Sequence, residues 1–252
     1  MKVLGIDLGS REVKIVLMED HTIIQQQKMS TMNFYKNYCI YDKTLKVDIE
    51  KLGIKDYEKG ISTGYGRNNT DLNTFKAINE IKAHVYGAKY QTQLEEFILL
   101  DIGGQDIKIM KVEKGVMTDL ELNEKCAASC GRYLENMASV LEISVEELSH
   151  YYKEPITLNS TCAVFSESEL IGKIAEGVSL EKLCAGVNYS LYQRLRPMLT
   201  KFKGNDLVIS GGVAYNKGVL EYLKQDYNKI IQLKEPQYNG AIGCCYYGIK
   251  YA

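Results

Sequence analysis

Apolar positions fall in short blocks along the first twenty residues, and one such block recurs near the middle of the chain. Val3-Leu4-Gly5-Ile6-Asp7-Leu8-Gly9-Ser10 leads into Arg11-Glu12-Val13-Lys14-Ile15. Ile98-Leu99-Leu100-Asp101-Ile102-Gly103-Gly104 leads into Gln105-Asp106-Ile107-Lys108-Ile109. Each copy predicts an apolar strand ending in Asp, a glycine turn, and a second strand with Lys at the same offset. Ordinary hairpin turns call for Gly. They give no reason for an Asp at the strand end or a Lys at a fixed distance beyond it.

The remaining pattern is less regular. Residues 21–60 alternate without a helical period and predict strands with a short helix or loop. Gly60–Arg67 reads as a strand end and a glycine turn. Helical spacing predicts helices over Leu72–Val85, which carries His84, and over Ala127–Leu141, with Leu134, Met137, Ala138 and Leu141 on one face. Ser144 with Glu147, and Ser166 with Glu169, match capping boxes, and the second predicts a helix opening at Ser166 and ending near Gly177. A long helix is expected over 180–202. A strand at Asp206–Ser210, a helix from Tyr215 to Gln225, a strand near 229–233 and a closing helix opened by Gly240–Gly243 complete the chain.

Composition adds bounds. The 252 residues are 45% hydrophobic and 25% charged, as in ordinary soluble globular proteins. With a duplicated hairpin, that length predicts two similar lobes, 1–95 completed by 240–252 and 96–239. Lys+Arg 31 against Asp+Glu 32 leaves no electrostatic footprint for nucleic acid or an anionic membrane. No apolar run reaches the length of a membrane span. The chain enters its first strand at Val3 without a signal-peptide core, so a cytoplasmic location is expected. Seven cysteines, at 39, 126, 130, 162, 184, 244 and 245, are an odd count that argues against a disulfide framework in a reducing compartment.

Phosphate chemistry explains the repeat. Gly9, Gly103 and Gly104 let backbone N–H groups approach a phosphate, while Ser10 and Lys14 add a hydroxyl donor and a positive charge. Asp7 and Asp101 repel phosphate directly and act through a bridging Mg²⁺ that keeps waters in its shell. Gln105 is placed to orient an attacking water, because an amide both donates and accepts. Downstream, Val208–Asn216 predicts a strand, the Gly211-Gly212 turn and a helix, with Gly211, Gly212 and Asn216 expected to bind the nucleotide. Hairpin, hairpin, strand–Gly-Gly–helix is the order seen in the actin, hexokinase and Hsp70 superfamily of ATPases. The chain resembles that α/β architecture, with two ribonuclease-H-like lobes around a nucleotide cleft.

The cysteines divide by context. Cys126 and Cys162 each precede a predicted helix, where N–H groups and the macrodipole favour a thiolate. Two thiolates per chain fall short of the four that a common iron–sulfur cluster takes, but two chains across a twofold axis supply them. A zinc site is the weaker alternative, since only Cys126-x3-Cys130 approaches the usual paired spacing. Cys39, Cys184, Cys244 and Cys245 read as core.

Several motifs carry a closer likeness. They are the first hairpin, Ser62-Thr63-Gly64-Tyr65-Gly66-Arg67, Asp101–Asp106, Lys125-Cys126-Ala127-Ala128, Ser160-Thr161-Cys162 with Val164-Phe165 and Glu167-Ser168-Glu169, and Gly211-Gly212-Val213-Ala214. Across essentially its whole length the chain resembles the ATP-dependent activators of 2-hydroxyacyl-CoA dehydratases and the ATPase subunits of benzoyl-CoA reductase. That resemblance implies a homodimer holding one 4Fe–4S cluster on Cys126 and Cys162 of both chains. It implies ATP and Mg as further cofactors, ferredoxin or flavodoxin as electron donor, and a dehydratase or reductase as the enzyme served. Two departures stand out. Ser129-Cys130-Gly131 replaces the family's usual Gly-Thr-Gly, and Ala83 stands where members often carry Cys before the histidine matching His84. A sugar-type kinase of the same superfamily would share the hairpins and the diglycine turn. An ATP-gated dimerisation or redox-sensing module would share the cysteines as well.

Overall fold

The computed structural model describes residues 1–42, 44–68, 70–71, 75–123, 130–158 and 162–251. The chain forms two compact units, Met1–Leu94 with Gln237–Ala252, and Glu95–Pro236. No helix among the described residues is long and apolar enough to cross a membrane.

The first unit begins with a meander, β1 (Lys2–Leu8), β2 (Glu12–Glu19) and β3 (Thr22–Ser30), followed by α1 (Thr31–Tyr38). Next come β4 (Cys39–Asp42), β5 (Thr44–Val47), β6 (Lys59–Thr63), β7 (Thr70–Asp71), β8 (Phe75–Ala77) and α2 (Glu80–Thr92). The last helix, α8 (Asn239–Tyr251), belongs here too. The main sheet has the order β3-β2-β1-β6-β8, and β4-β5-β7 form a small second sheet. Strand β1 is buried along nearly its whole length, which is why it reads as a continuous apolar run, whereas the edge strand β3 alternates. Cys245 on α8 donates its thiol to the carbonyls of Val3 and Val16, 3.4 and 3.2 Å away. Helices α2 and α8 approach closely at Gly243, where an added Cβ would run into the Ala83 carbonyl. Gly243→Val is therefore expected to destabilise the fold by about 3 kcal/mol or more, read as a lower midpoint in chemical denaturation.

The second unit repeats the plan. It contains β9 (Phe97–Ile102), β10 (Ile107–Glu113), β11 (Val116–Asn123), α3 (Gly131–Val140), α4 (Val145–Leu148), α5 (Ala163–Ala175) and α6 (Leu180–Leu199). It closes with β12 (Leu207–Ser210), α7 (Lys217–Leu223) and β13 (Ile230–Gln232). Its sheet order, β11-β10-β9-β12-β13, has the same connectivity as the first: an antiparallel meander, then two parallel strands beside the first strand. Helices α3 to α7 pack a large apolar core on this sheet around Leu100, Ile109, Tyr133, Leu134, Leu191 and Tyr192.

Several boundaries differ from the sequence reading. Phe75 and Ile78 belong to β8 and the loop after it, and the helix starts at Glu80, where the Asn79 side chain accepts from the Lys82 N–H. Helix α3 starts at Gly131 with Cys130 as its N-cap, so Cys130 precedes the helix rather than lying one turn inside it. The expected start at Ala127 falls outside the described residues. Ser166 is not a cap, because α5 opens three residues earlier, with Cys162 as N-cap. Arg194 donates to the buried Ser166 hydroxyl instead. Helix α6 ends at Leu199, and a 3-10 turn over Gly212–Tyr215 precedes the short α7. Ser144 does cap α4, accepting from the Glu147 N–H at 3.0 Å.

Candidate functional site

In both units the strand-end Asp faces the repeat Lys across the hairpin. Asp7 is in register with Lys14, and Asp101 with Lys108. Both carboxylates are buried, at 6% and 2% exposure. Each is thus held in place before any ligand arrives, on a strand end whose backbone is locked by neighbours on both sides.

Around Asp7 the first unit leaves room only for glycine. A Cβ at Gly64 would lie 2.8 Å from Asp7 Oδ1, and one at Gly240 would lie 2.8 Å from Asp7 Oδ2 and 3.2 Å from His84 Nε2. Gly240 thus lets a buried histidine and the Asp7 carboxylate flank one point. Asn239, which opens α8, donates to the His84 carbonyl at 2.9 Å. Gly9 and Ser10 form the turn between β1 and β2, with Ser10 exposed. Lys14 Nζ lies 3.4 Å from the Glu12 carbonyl and 3.8 Å from its carboxylate. Thr31, at the start of α1, ties the turn down: its hydroxyl donates to the Gly9 carbonyl and its N–H to that of Arg11, at 2.8 and 2.9 Å.

The second unit builds the same arrangement. Lys108, 4% exposed, lies 2.5 Å from Asp106 and 3.7 Å from Asp101. The Ser210 hydroxyl, at the end of β12, donates to Asp101 Oδ1 at 2.6 Å. Gly103 and Gly104 form the turn, closed by the Gly103 N–H to the Asp106 carbonyl at 3.0 Å, with Gln105 exposed at its tip. Here too the following helix grips the turn. The N–H groups of Gly131 and Arg132 donate to the carbonyls of Gly103 and Gly104, and Cys130 Sγ donates to the latter at 3.0 Å. Removing Lys108 would leave Asp101 buried without its cation. Lys108→Met is expected to cost about 3–5 kcal/mol of stability, read in denaturant unfolding.

After β12 the chain turns through Gly211, whose φ of 84° and ψ of 179° admit essentially only glycine. A side chain there would also meet the Ile102 carbonyl. The exposed Gly212 follows. Asn216 is buried, accepting from the Val219 N–H at 2.9 Å as cap of α7 and donating to Asn188 Oδ1 at 2.8 Å. Asn188 in turn donates to the carbonyls of Leu148 and Tyr151. Asn216 therefore fixes the diglycine turn from within.

Among the cysteines, Cys126 lies outside the described residues. Cys162 is exposed at the head of α5, and its side chain makes no capping hydrogen bond. Beside it Val164 and Phe165 are exposed to 68% and 69%. Burial raises the thiols of Cys39, to about 11, of Cys184, to about 12, and of Cys244 and Cys245, well above the ordinary thiol range. Cys130 is fully buried. Among the described residues no three His, Cys, Asp or Glu side chains converge as a metal site. Three residues that matter here went unassigned in the sequence: Lys108, Ser210 and Thr31. Only Lys108 carried a signal, its match to Lys14 in the repeat.

Two five-stranded sheets of identical connectivity, each ending its first strand in a buried Asp, define the fold of the actin- and hexokinase-like ATPases. The chain belongs to the BadF/BadG/BcrA/BcrD ATPase family, whose profile matches residues 4–248. It is similar to the (R)-2-hydroxyglutaryl-CoA dehydratase activating ATPase of Acidaminococcus fermentans, with 32% identity covering 99% of this chain and 97% of that one. The solved structure of the activator of the 2-hydroxyisocaproyl-CoA dehydratase from Clostridium difficile, with bound ADPNP, superposes with a TM-score of 0.85. It is 31% identical, covering 98% of this chain and 94% of that one. A glucokinase from Streptomyces griseus shares the fold alone, at a TM-score of 0.58 and 11% identity, covering 97% of this chain and 98% of that one.

Proposed function

We propose that this protein hydrolyses ATP to deliver low-potential electrons to a dehydratase or reductase acting on acyl-CoA thioesters. The observation that carries this reading is the duplicated, buried strand-end carboxylate within a chain that matches dehydratase activators over nearly its whole length. Asp7 in the first unit and Asp101 in the second are the carboxylates that would hold Mg²⁺ through its waters. The turns at Gly9–Ser10, Gly103–Gly104 and Gly211–Gly212, together with Lys14, bind the nucleotide, and Gln105 orients the attacking water. Glycine at 64 and 240 keeps side chains away from both oxygens of the Asp7 carboxylate, and a hard oxygen donor of that kind suits Mg²⁺.

Cys126 and Cys162 of two chains would hold one 4Fe–4S cluster, which supplies one-electron transfer when bound. Cys162 fits that role. Its thiol is exposed and makes no capping bond, the α5 N–H groups lie next to it, and the adjacent apolar Val164 and Phe165 suit burial against a second copy. Around it the protein's task is to change the surroundings of the sulfurs as nucleotide binds and is cleaved. Altered hydrogen bonding and solvent access there alter the reduction potential. Ferredoxin or flavodoxin fits as donor.

Incubating the anaerobic protein with MgATP and no added hydroxyl acceptor tests the reaction type. ADP and inorganic phosphate are expected in equal amounts, and with reduced ferredoxin as electron source and a 2-hydroxyacyl-CoA dehydratase as acceptor, electron delivery should be faster with MgATP than without it. ATP turnover that appears only with a sugar, yielding a sugar phosphate, would overturn the reading in favour of a kinase.

A further inference from the structure

Arg194 lies on α6, remote in sequence from both hairpins and from Cys126 and Cys162, yet it touches the first turns of both α3 and α5. Its guanidinium carbon sits 4.3 Å from the centroid of the Tyr133 ring, and its Nη2 donates to the Ser166 hydroxyl at 3.1 Å. Tyr133 and Ser166 are both fully buried. Among the described residues, the Tyr133 hydroxyl is the one buried side-chain polar atom without a hydrogen-bond partner. The ring is therefore held by packing rather than by its hydroxyl, in the core of the second unit and against the Arg194 guanidinium.

Each end of this bridge continues into the site. Ser166 donates its N–H to the Cys162 carbonyl at 2.9 Å, closing the first turn of α5. At the other end, Tyr133 follows Gly131 and Arg132, whose N–H groups bond the carbonyls of Gly103 and Gly104 at 2.9 and 3.0 Å. Contacts thus run without a break from the second glycine turn, through the first turn of α3, the Tyr133 ring and Arg194, to the residue that presents Cys162. All of them lie within one compact unit.

We propose that Arg194 is a positioning residue that couples nucleotide at Gly103–Gly104 to the surroundings of the Cys162 thiol. This rests on reading that turn as a phosphate site. The side chain suits the task because a planar guanidinium stacks on a ring with its face while donating from its edge. Lysine, a point charge on a flexible stem, cannot do both in one geometry. A phosphate drawn to the N–H groups of the turn displaces the carbonyls on its far side. Those carbonyls anchor α3, and Arg194 carries the shift to α5.

The coupling is read directly as a nucleotide-dependent change at Cys162. Full-length protein purified without air is treated with an iron chelator and, separately, with a maleimide, with and without a non-hydrolysable ATP analogue. Iron release and modification at Cys162, located by mass spectrometry, are followed as rates. In the wild type the nucleotide is expected to change both by about tenfold, the range of ordinary allosteric coupling. Arg194→Met and Arg194→Lys should bind nucleotide with unchanged affinity while that factor falls towards one. Ser166→Ala should reduce it, and Tyr133→Phe, which keeps the ring face, should retain it; these two keep the test open if the Arg194 variants fold poorly. Full nucleotide response in Arg194→Met or Ser166→Ala would overturn the proposal, as would wild-type rates that ignore a nucleotide that binds. Wild-type protein that binds no labelled ADP would overturn the nucleotide reading itself.

Discussion

Asp101→Asn is expected to lower ATP turnover by about 10²–10³-fold, the loss typical when one well-placed electrostatic contact to a transition state is removed. Phosphoryl transfer asks little of a protein except positioning and charge, the two things proposed here for Asp101. It is fixed at the end of β9, buried, and held by the Ser210 hydroxyl and by Lys108. Asparagine keeps the shape and can still accept from Ser210, while Lys108 keeps Asp106 as its closer partner. The fold should therefore survive, and the loss should appear in turnover and in the Mg²⁺ concentration needed, with nucleotide affinity in the absence of Mg²⁺ little changed. Steady-state phosphate release across a Mg²⁺ titration reads both. Turnover within a factor of two of wild type would remove Asp101 from the reacting site.

Cys162→Ala is expected to remove the iron almost completely and to leave ADP binding intact. The thiol makes no capping bond, its residue lies on the surface, and alanine is compatible with the extended backbone at that N-cap, so little stability is at stake. By contrast Cys184→Ala, in the core of the second unit, should keep its iron and lose about 1–2 kcal/mol of stability through lost packing. Iron content with visible absorbance, measured beside a denaturation curve, separates a ligand from a packing residue. A colourless Cys184→Ala and a coloured Cys162→Ala would reverse the assignment.

Much of this is legible in the sequence. The two hairpins are, because the strand-end Asp, the glycine turn and the Lys offset recur together, and a β-hairpin is fixed by local sequence. The diglycine turn is legible for a similar reason, since Gly211 occupies backbone space closed to other residues. Helix starts are less so. Phe75 and Ile78 sit three apart and imitate a helical face, although one ends up at a strand and the other in a loop. Ser166 and Glu169 satisfy the capping-box spacing, but α5 begins at Ala163 and the buried Ser166 hydroxyl receives Arg194. A local motif lost there to a tertiary contact 28 residues away. Cys130 shows the same limit. Its thiol reaches the Gly104 carbonyl, a contact that exists only because α3 packs its first turn on the hairpin. Arg194 and Ser210 left no mark in the sequence, because their partners come from separate elements brought together by the sheet and the helix layer.

Counting iron and sulfide in protein purified without air bears most directly on the whole account. Two chains together should carry about four iron atoms and as many sulfides, with a brown colour that Cys162→Ala abolishes. Protein that hydrolyses ATP yet is colourless and free of iron, or that carries zinc in its place, would contradict it.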